Sequence, residues 1–237
     1  MTKDREELKT AHLVSLGCAR NRVDSEVMLG CLIEDGWKIV DSPEDAAVII
    51  VNTCSFIKDA KEESIDVILS MAEIKKTGFN VRLVVTGCLT QRYQKDLLKG
   101  FPEVDLFIGT DEFHRINELL KDKSDSAGLF AKRTNYIYSG KLPRINTLST
   151  VSAYVKIAEG CDHACSFCII PKIRGRLRSR SVSDITQEVK ELASQGILEI
   201  ILVAQDLAAY GRDLGNVTLL DLLKSLVNID GIEWIRL

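Results

Sequence analysis

The sequence predicts an α/β protein, an amino-terminal doubly wound parallel sheet followed by the opening units of a (β/α) barrel. Short apolar runs alternate with amphipathic stretches over residues 11–121, and a second alternation of the same kind starts near Val151. Between them, residues 121–150 carry Ser124, Ser126, Gly128, Gly140 and Pro143 with weak periodicity, the composition of a connection. The expected division is therefore 8–121, a linker 122–150, and 151–237.

The first series reads as strands at 12–17, 48–53, 81–87 and 105–109. Helices are expected near 24–35, 58–76, 91–99 and 112–120. In the second series a strand at 152–158 runs into a polar loop. A helix at 183–194 follows, with Ser183 as N-cap and Gly196 as terminator. Then come a strand at 199–204, a helix at 219–227 and a last apolar run at 234–237. About 85 residues supply about three βα units, where an eight-unit barrel takes about 250. Ending on a strand also leaves an open parallel edge. The chain is expected to be a piece of a longer protein.

Composition sets outer bounds. With 237 residues, 46% hydrophobic and 27% charged, the chain can bury a full core. No amino-terminal apolar segment with a cleavage site is present, and no apolar run approaches the roughly 20 residues that span a bilayer. A cytoplasmic location without membrane contact is expected. In that reducing compartment the seven cysteines suit metal ligation or catalysis better than disulfides.

Those cysteines fall into two groups and one outlier. Cys161, Cys165 and Cys168 share one short loop, in which three thiolates can take three irons of a cubane cluster and leave the fourth iron open. Cys18, Cys54 and Cys88 each follow an apolar run, and ligands of open α/β sheets collect outside the carboxyl ends of strands. Residues more than thirty positions apart can thus converge. Cys31 sits at a core-facing helical position and reads as packing. For the loop, competing readings are a zinc knuckle completed by His163, an electron-carrying cluster with a fourth cysteine, and simple burial.

Net charge is −3, so attraction to nucleic acid would need a local patch. Lys172, Arg174, Arg176, Arg178 and Arg180 form one, readable either as a solvated loop or as a contact for an anionic ligand. Direct RNA binding is left open by the sequence. Gln205 and Asp206 close the second barrel strand, where active-site residues gather; cofactor contact and loop packing are both expected there.

The cysteine loop, with Phe167 just before its last cysteine, resembles the signature of the radical S-adenosylmethionine superfamily. Ala158-Glu159-Gly160 before it, Ile169-Ile170-Pro171 after it, Arg174-Gly175 and Arg178-Ser179-Arg180 narrow the resemblance to methylthiotransferases. Upstream, Ser15-Leu16-Gly17-Cys18 with Asn21, Val51-Asn52-Thr53-Cys54 and Thr86-Gly87-Cys88 are similar to that family's amino-terminal domain. Phe56-Ile57, Val203-Ala204-Gln205-Asp206 and Tyr210-Gly211 resemble the branch that modifies an aspartate of a small-subunit ribosomal protein. The other branch modifies a transfer RNA adenosine. Ala19-Arg20 and Leu207 depart from the usual text, and neither is a ligand.

The resemblance implies two 4Fe-4S clusters, one on Cys161, Cys165 and Cys168 and one on Cys18, Cys54 and Cys88. It implies S-adenosylmethionine as cofactor, with Phe167, Gln205 and Asp206 toward it, and an external electron donor. A deoxyadenosyl radical would abstract hydrogen from the β-carbon of the target aspartate, and the second cluster would supply the methylated sulfur. The rival expectation is a truncated iron-sulfur protein that assembles clusters without turnover.

Overall fold

The computed structural model describes residues 9–77, 81–122, 128–130 and 135–237. Ser124 and Ser126 of the expected linker lie outside the described residues. The chain divides into two compact units, Met1–Lys132 and Arg133–Leu237.

The first unit is built on one parallel sheet in the order β2-β1-β3-β4-β5-β6. Its strands are β1 (Thr10–Ser15), β2 (Lys38–Ile39), β3 (Val48–Thr53), β4 (Arg82–Gly87), β5 (Leu106–Ile108) and β6 (Gly128–Leu129). β3 and β4 are buried along almost their whole length, which is why they read as unbroken apolar runs. β2 and β6 were not foreseen, since two-residue edge strands carry no period. β6 pairs with β5 from within the stretch 122–150.

Helices cover both faces. α1 (Ala19–Glu34) and α5 (Ile116–Lys121) pack together, and α2 (Lys58–Lys76) packs on β3 and β4. α2 has the bounds expected from its period. α1 starts five residues before the expected Asp24, because it buries Asn21, Asp24, Ser25 and Glu26 and so hides its amphipathic pattern. The expected helix 91–99 is two helices, α3 (Cys88–Tyr93) and α4 (Lys95–Gly100), broken at Gln94 with φ +37°. Before α5, the expected start of the helix 112–120 is a 3₁₀ turn, Phe113–Arg115. Cys31 is buried in α1, and burial followed by the charge of Glu34 pushes its thiol up to about 11, as a packing cysteine requires.

The second unit holds a parallel sheet in the order β11-β10-β7, from β7 (Ser152–Lys156), β10 (Glu199–Val203) and β11 (Trp234–Arg236). α6 (Ile170–Ile173) is a single turn after the cysteine loop, and α7 (Val182–Ser194) and α8 (Leu219–Leu226) make the crossovers and close a core with Ile185, Val189, Leu222 and Leu226. The expected strand 152–158 divides: Ala158–Glu159 (β8) pairs antiparallel with β9 (Arg178–Ser179) and carries the chain into the cysteine loop. The N-cap of α7 is Ser181, whose hydroxyl accepts from Asp184 N–H, and not the expected Ser183. Gly196 ends α7 at φ +89° with the N–H of Ile197 bonded to the carbonyl of Leu192, a Schellman closure. Residues 138–144 pack on α7: Tyr138 is buried and Ser139 bonds Asp184 at 2.8 Å. Among the described residues no helix is long and apolar enough to cross a membrane.

Candidate metal centres

In the first unit, strand order reverses between β1 and β3, the switch point at which open α/β sheets place their ligands, outside the carboxyl ends of the strands. Ser15 of β1 lies in register with Asn52 of β3, and Asn52 with Thr86 of β4. Cys18, Cys54 and Cys88 stand two or three residues beyond these partners. At about 4.8 Å between strands, the three exits span about 10 Å. Cys18 is exposed at the N-cap of α1, Cys54 is buried, and Cys88 opens α3 half-buried.

Two glycines permit this convergence. Gly17 has φ +86°, and a methyl there would overlap Cys54 Cβ at 2.6 Å; Gly87 has φ +98°, and a methyl there would overlap Asn52 Oδ1 at 2.5 Å. Neutral side chains fix the ends. Asn21 Nδ2 donates to the carbonyl of Leu16 at 2.8 Å, and Asn52 Nδ2 donates to Asn21 O at 2.9 Å and Ser25 Oγ at 2.8 Å. Ser64 Oγ accepts from Cys54 N–H at 3.0 Å. Beside the thiols, the hydroxyls of Ser55 and Thr86 are buried with no hydrogen-bond partner.

In the second unit, the loop after β8 is pinned at both ends. Gly160, at φ +81°, packs its α-carbon onto the carbonyl of Arg176 where no methyl fits, and Cys161 N–H bonds Gly175 O at 3.1 Å. Cys168 N–H closes a turn on Cys165 O at 3.0 Å. Cys165 is exposed, Cys161 and Cys168 are half-buried, and Phe167 is 87% exposed. His163 Nε2 lies 2.7 Å from Asp206 Oδ2, and that bond holds the Asp206 carboxyl below its usual range. Asp162, His163, Leu177 and Arg212 help line a cavity of about 180 Å³ beside the loop.

Charge surrounds this loop. Glu159 Oε2 takes Lys156 Nζ at 3.0 Å and Arg174 Nη1 at 3.2 Å, and all three residues are buried. Burial alone would raise the Glu159 carboxyl; Arg174 and then Lys156 overcome it and hold the group well below the carboxylate range. Gln205 Nε2 donates to Glu159 Oε1. Nearby, Glu188 accepts from Tyr138 OH at 2.9 Å, Arg144 at 2.7 Å and Arg180 at 2.6 Å. The basic run is thus neither a solvated patch nor an anion receptor as a whole. Arg174 and Arg180 are buried structural cations, Arg178 bonds the carbonyls of Tyr136, Arg174 and Arg176, and Arg176 is exposed beside Asp162.

Among the described residues no three His, Cys, Asp or Glu side chains stand close enough to share one ion. His163, the fourth donor a zinc knuckle would need, is bonded to Asp206. A cubane asks for wider spacing, since each thiolate takes a different iron, and the unpartnered hydroxyls of Ser55 and Thr86 are donors suited to sulfide acceptors. The donor sets fit such a group. Sequence reasoning about ligands passed over the residues that hold them: Asn52, Ser64, Lys156, Glu159 and Glu188. A polar residue within an otherwise apolar strand, as in Val51-Asn52-Thr53, was the available signal.

Comparison with known proteins agrees with this anatomy. Residues 155–235 match the profile of the Radical SAM superfamily, and residues 10–109 that of Uncharacterized protein family UPF0004. The fold is similar to the radical S-adenosylmethionine methyltransferase TsrM of Kitasatospora setae, with a TM-score of 0.58 at 14% identity over 92% of this chain and 51% of that one. The fold and the cysteine loop are thus similar to those of radical S-adenosylmethionine proteins.

Within that class the chain is similar to curated relatives that carry the name ribosomal protein uS12 methylthiotransferase RimO. The protein of Myxococcus xanthus is 52% identical over 230 residues, covering 97% of this chain and 48% of the relative. That of Clostridioides difficile is 46% identical over 226 residues, covering 94% and 51%. The chain spans about half the length of these relatives.

Proposed function

We propose that this chain is part of an enzyme that methylthiolates an aspartate of ribosomal protein uS12, in the cytoplasm, using two 4Fe-4S clusters, S-adenosylmethionine and an external electron donor. The observation that carries the reading is the pairing of two cysteine sets with two parallel sheets. One set follows three adjacent strands of the first unit, and the other follows the first strand of the second. High identity to proteins named for uS12 supports the choice of substrate over a transfer RNA adenosine.

In this reading residues 8–121 carry the auxiliary cluster on Cys18, Cys54 and Cys88, and residues 151–237 carry the other on Cys161, Cys165 and Cys168. When bound, the clusters supply one-electron cleavage of the cofactor and a site for sulfur. The chain's own residues do the rest. Gly17 and Gly87 let the first three thiols approach, and the turn from Cys165 to Cys168 aims the second three. Phe167 offers an exposed aromatic face for the adenine, and Gln205 and Asp206 border the loop. The structured loop and the buried Glu159 network support a built reaction site over a cluster carrier.

The test uses anaerobically reconstituted protein with reductant, S-adenosylmethionine and uS12. Deoxyadenosine and a mass gain on uS12 matching methylthio addition are expected. Modification of transfer RNA in place of uS12 would reassign the substrate, and intact cofactor beside assembled clusters would favour the non-catalytic iron-sulfur protein.

A further inference from the structure

Between Cys161 and Cys165, two neighbouring residues are tied to different elements. Asp162 Oδ1 accepts from Leu177 N–H at 3.1 Å and from Arg176 Nε at 3.1 Å. His163 reaches the other way, to Asp206 Oδ2 at 2.7 Å. An ionised carboxylate only accepts, so His163 donates through Nε2–H. Cys165 follows two residues later and is exposed, as are Ala164, Ser166 and Phe167. Packing therefore does little to hold the middle thiol. Hydrogen bonds hold it, in the turn that Cys168 N–H closes on Cys165 O and in the tie through His163.

Asp206 is itself fixed from the core. Its Oδ1 accepts from Ala208 N–H at 3.0 Å and its carbonyl accepts from Ala209 N–H at 3.3 Å, which anchors it to the 3₁₀ turn Leu207–Ala209. Ala209 is buried in the core of the second unit. A continuous path thus runs from that core through the turn and Asp206 to His163. We infer that Asp206 is a positioning residue, a latch that holds the stretch from Cys161 to Cys165 in place through His163 and so governs how long the loop keeps its cluster. This rests on the proposed function for the presence of a cluster there, and it gives Asp206 a role apart from contact with the cofactor. Opening of an exposed loop is a local event with its own free energy, so a bond that adds little to global stability can still control it.

The experiment uses the full chain, reconstituted anaerobically in the C18S/C54S/C88S background so that only the loop set reports. Release of iron to an excess of ferrous chelator is timed, and the thermal midpoint of the metal-free chain is measured alongside. His163→Ala and Asp206→Ala are each expected to release iron about tenfold faster than the parent with the midpoint unchanged, the effect of one lost charge-assisted hydrogen bond on loop opening. The double variant is expected to be no faster than either single one, since the two residues form one bond. Asp206→Asn is expected to restore the parental rate: its Oδ1 keeps the Ala208 bond, and its Nδ2–H donates to the other tautomer of His163. A parental rate in His163→Ala, rate increases at the two sites that simply multiply, or a midpoint that falls in step with the rate would overturn the latch while leaving the cluster reading intact. A parent that takes up no iron at the loop set would overturn both.

Discussion

The two cysteine sets reach similar ends by opposite means. Cys161, Cys165 and Cys168 lie within eight residues and are held by a loop, whereas Cys18, Cys54 and Cys88 depend on the register of three strands. Their supports differ as well. The strand-end set is fixed mainly by amides and hydroxyls, from Asn21, Asn52, Ser25 and Ser64, with one cation, Arg92, donating to the Ser55 carbonyl at 2.7 Å. Around the loop set the supports are ionic, from Lys156, Glu159, Arg174, Arg180 and Glu188, nearly all buried. A ligand set assembled by tertiary structure needs many modest bonds that keep strands in register. An exposed loop needs a few strong anchors beneath it.

The largest expected effect breaks the ionic side of this contrast. Glu188→Leu removes the buried carboxylate that Arg144 and Arg180 share, leaving Arg180 with Asp184, and is expected to destabilise the second unit by about 3–5 kcal/mol, read as a lowered urea midpoint. Next comes the neutral side. Asn52→Ala removes the amide that donates to the carbonyl of Asn21 and the hydroxyl of Ser25, and is expected to cost the first unit about 1–3 kcal/mol in the same assay.

Two glycines sharpen the comparison at smaller cost. Gly36 has φ +83° with nothing within 4 Å of an added methyl, so Gly36→Ala is expected to lose about 1–2 kcal/mol of stability and no iron. Gly17→Ala carries the same backbone strain and also drives a methyl into Cys54, so it is expected to lower iron content. Equal iron in the two variants would mean that the approach of Gly17 to Cys54 does not set the ligand spacing.

The smallest effect is in acid. Burial holds His114 of the first unit below the usual imidazole value, so its contribution is present above about pH 6.5 and is lost as pH falls through the folded value. In the second unit burial opposes ionisation of Asp184, but Arg180 holds its carboxyl below the usual range. That contribution is present above about pH 3.9 and disappears only at lower pH. Hydrogen exchange followed by mass spectrometry from pH 7 to 5 is expected to show protection declining in peptides of the first unit before those of the second. The reverse order would contradict the assignment.

Legibility in the sequence followed the same divide. The loop set could be read directly, because its spacing is local, and so could the strands β1, β3, β4, β7 and β10, whose residues are mainly apolar. That Cys18, Cys54 and Cys88 follow the ends of adjacent strands was readable only through the alternation of strand and helix. The edge strands β2 and β6, the early start of α1 and the Ser181 cap were not legible, since two paired residues carry no period and a helix burying Asn21 and Glu26 looks polar. The basic run misled for a related reason. Arg174 ends the helical turn Ile170–Ile173 and Gly175 redirects the chain at φ +74°, so Arg174 and Arg180 are buried while Arg176 faces water.

The central claim is that each trio of cysteines holds its own cluster. Iron and acid-labile sulfide per chain, with Mössbauer spectra, should be measured on anaerobically reconstituted wild type and on the two triple serine variants, C18S/C54S/C88S and C161S/C165S/C168S. About eight irons in the wild type and about four in each variant, all in cubane form, is the predicted result. Zinc in place of iron, or an iron count that survives loss of the first trio unchanged, would contradict it.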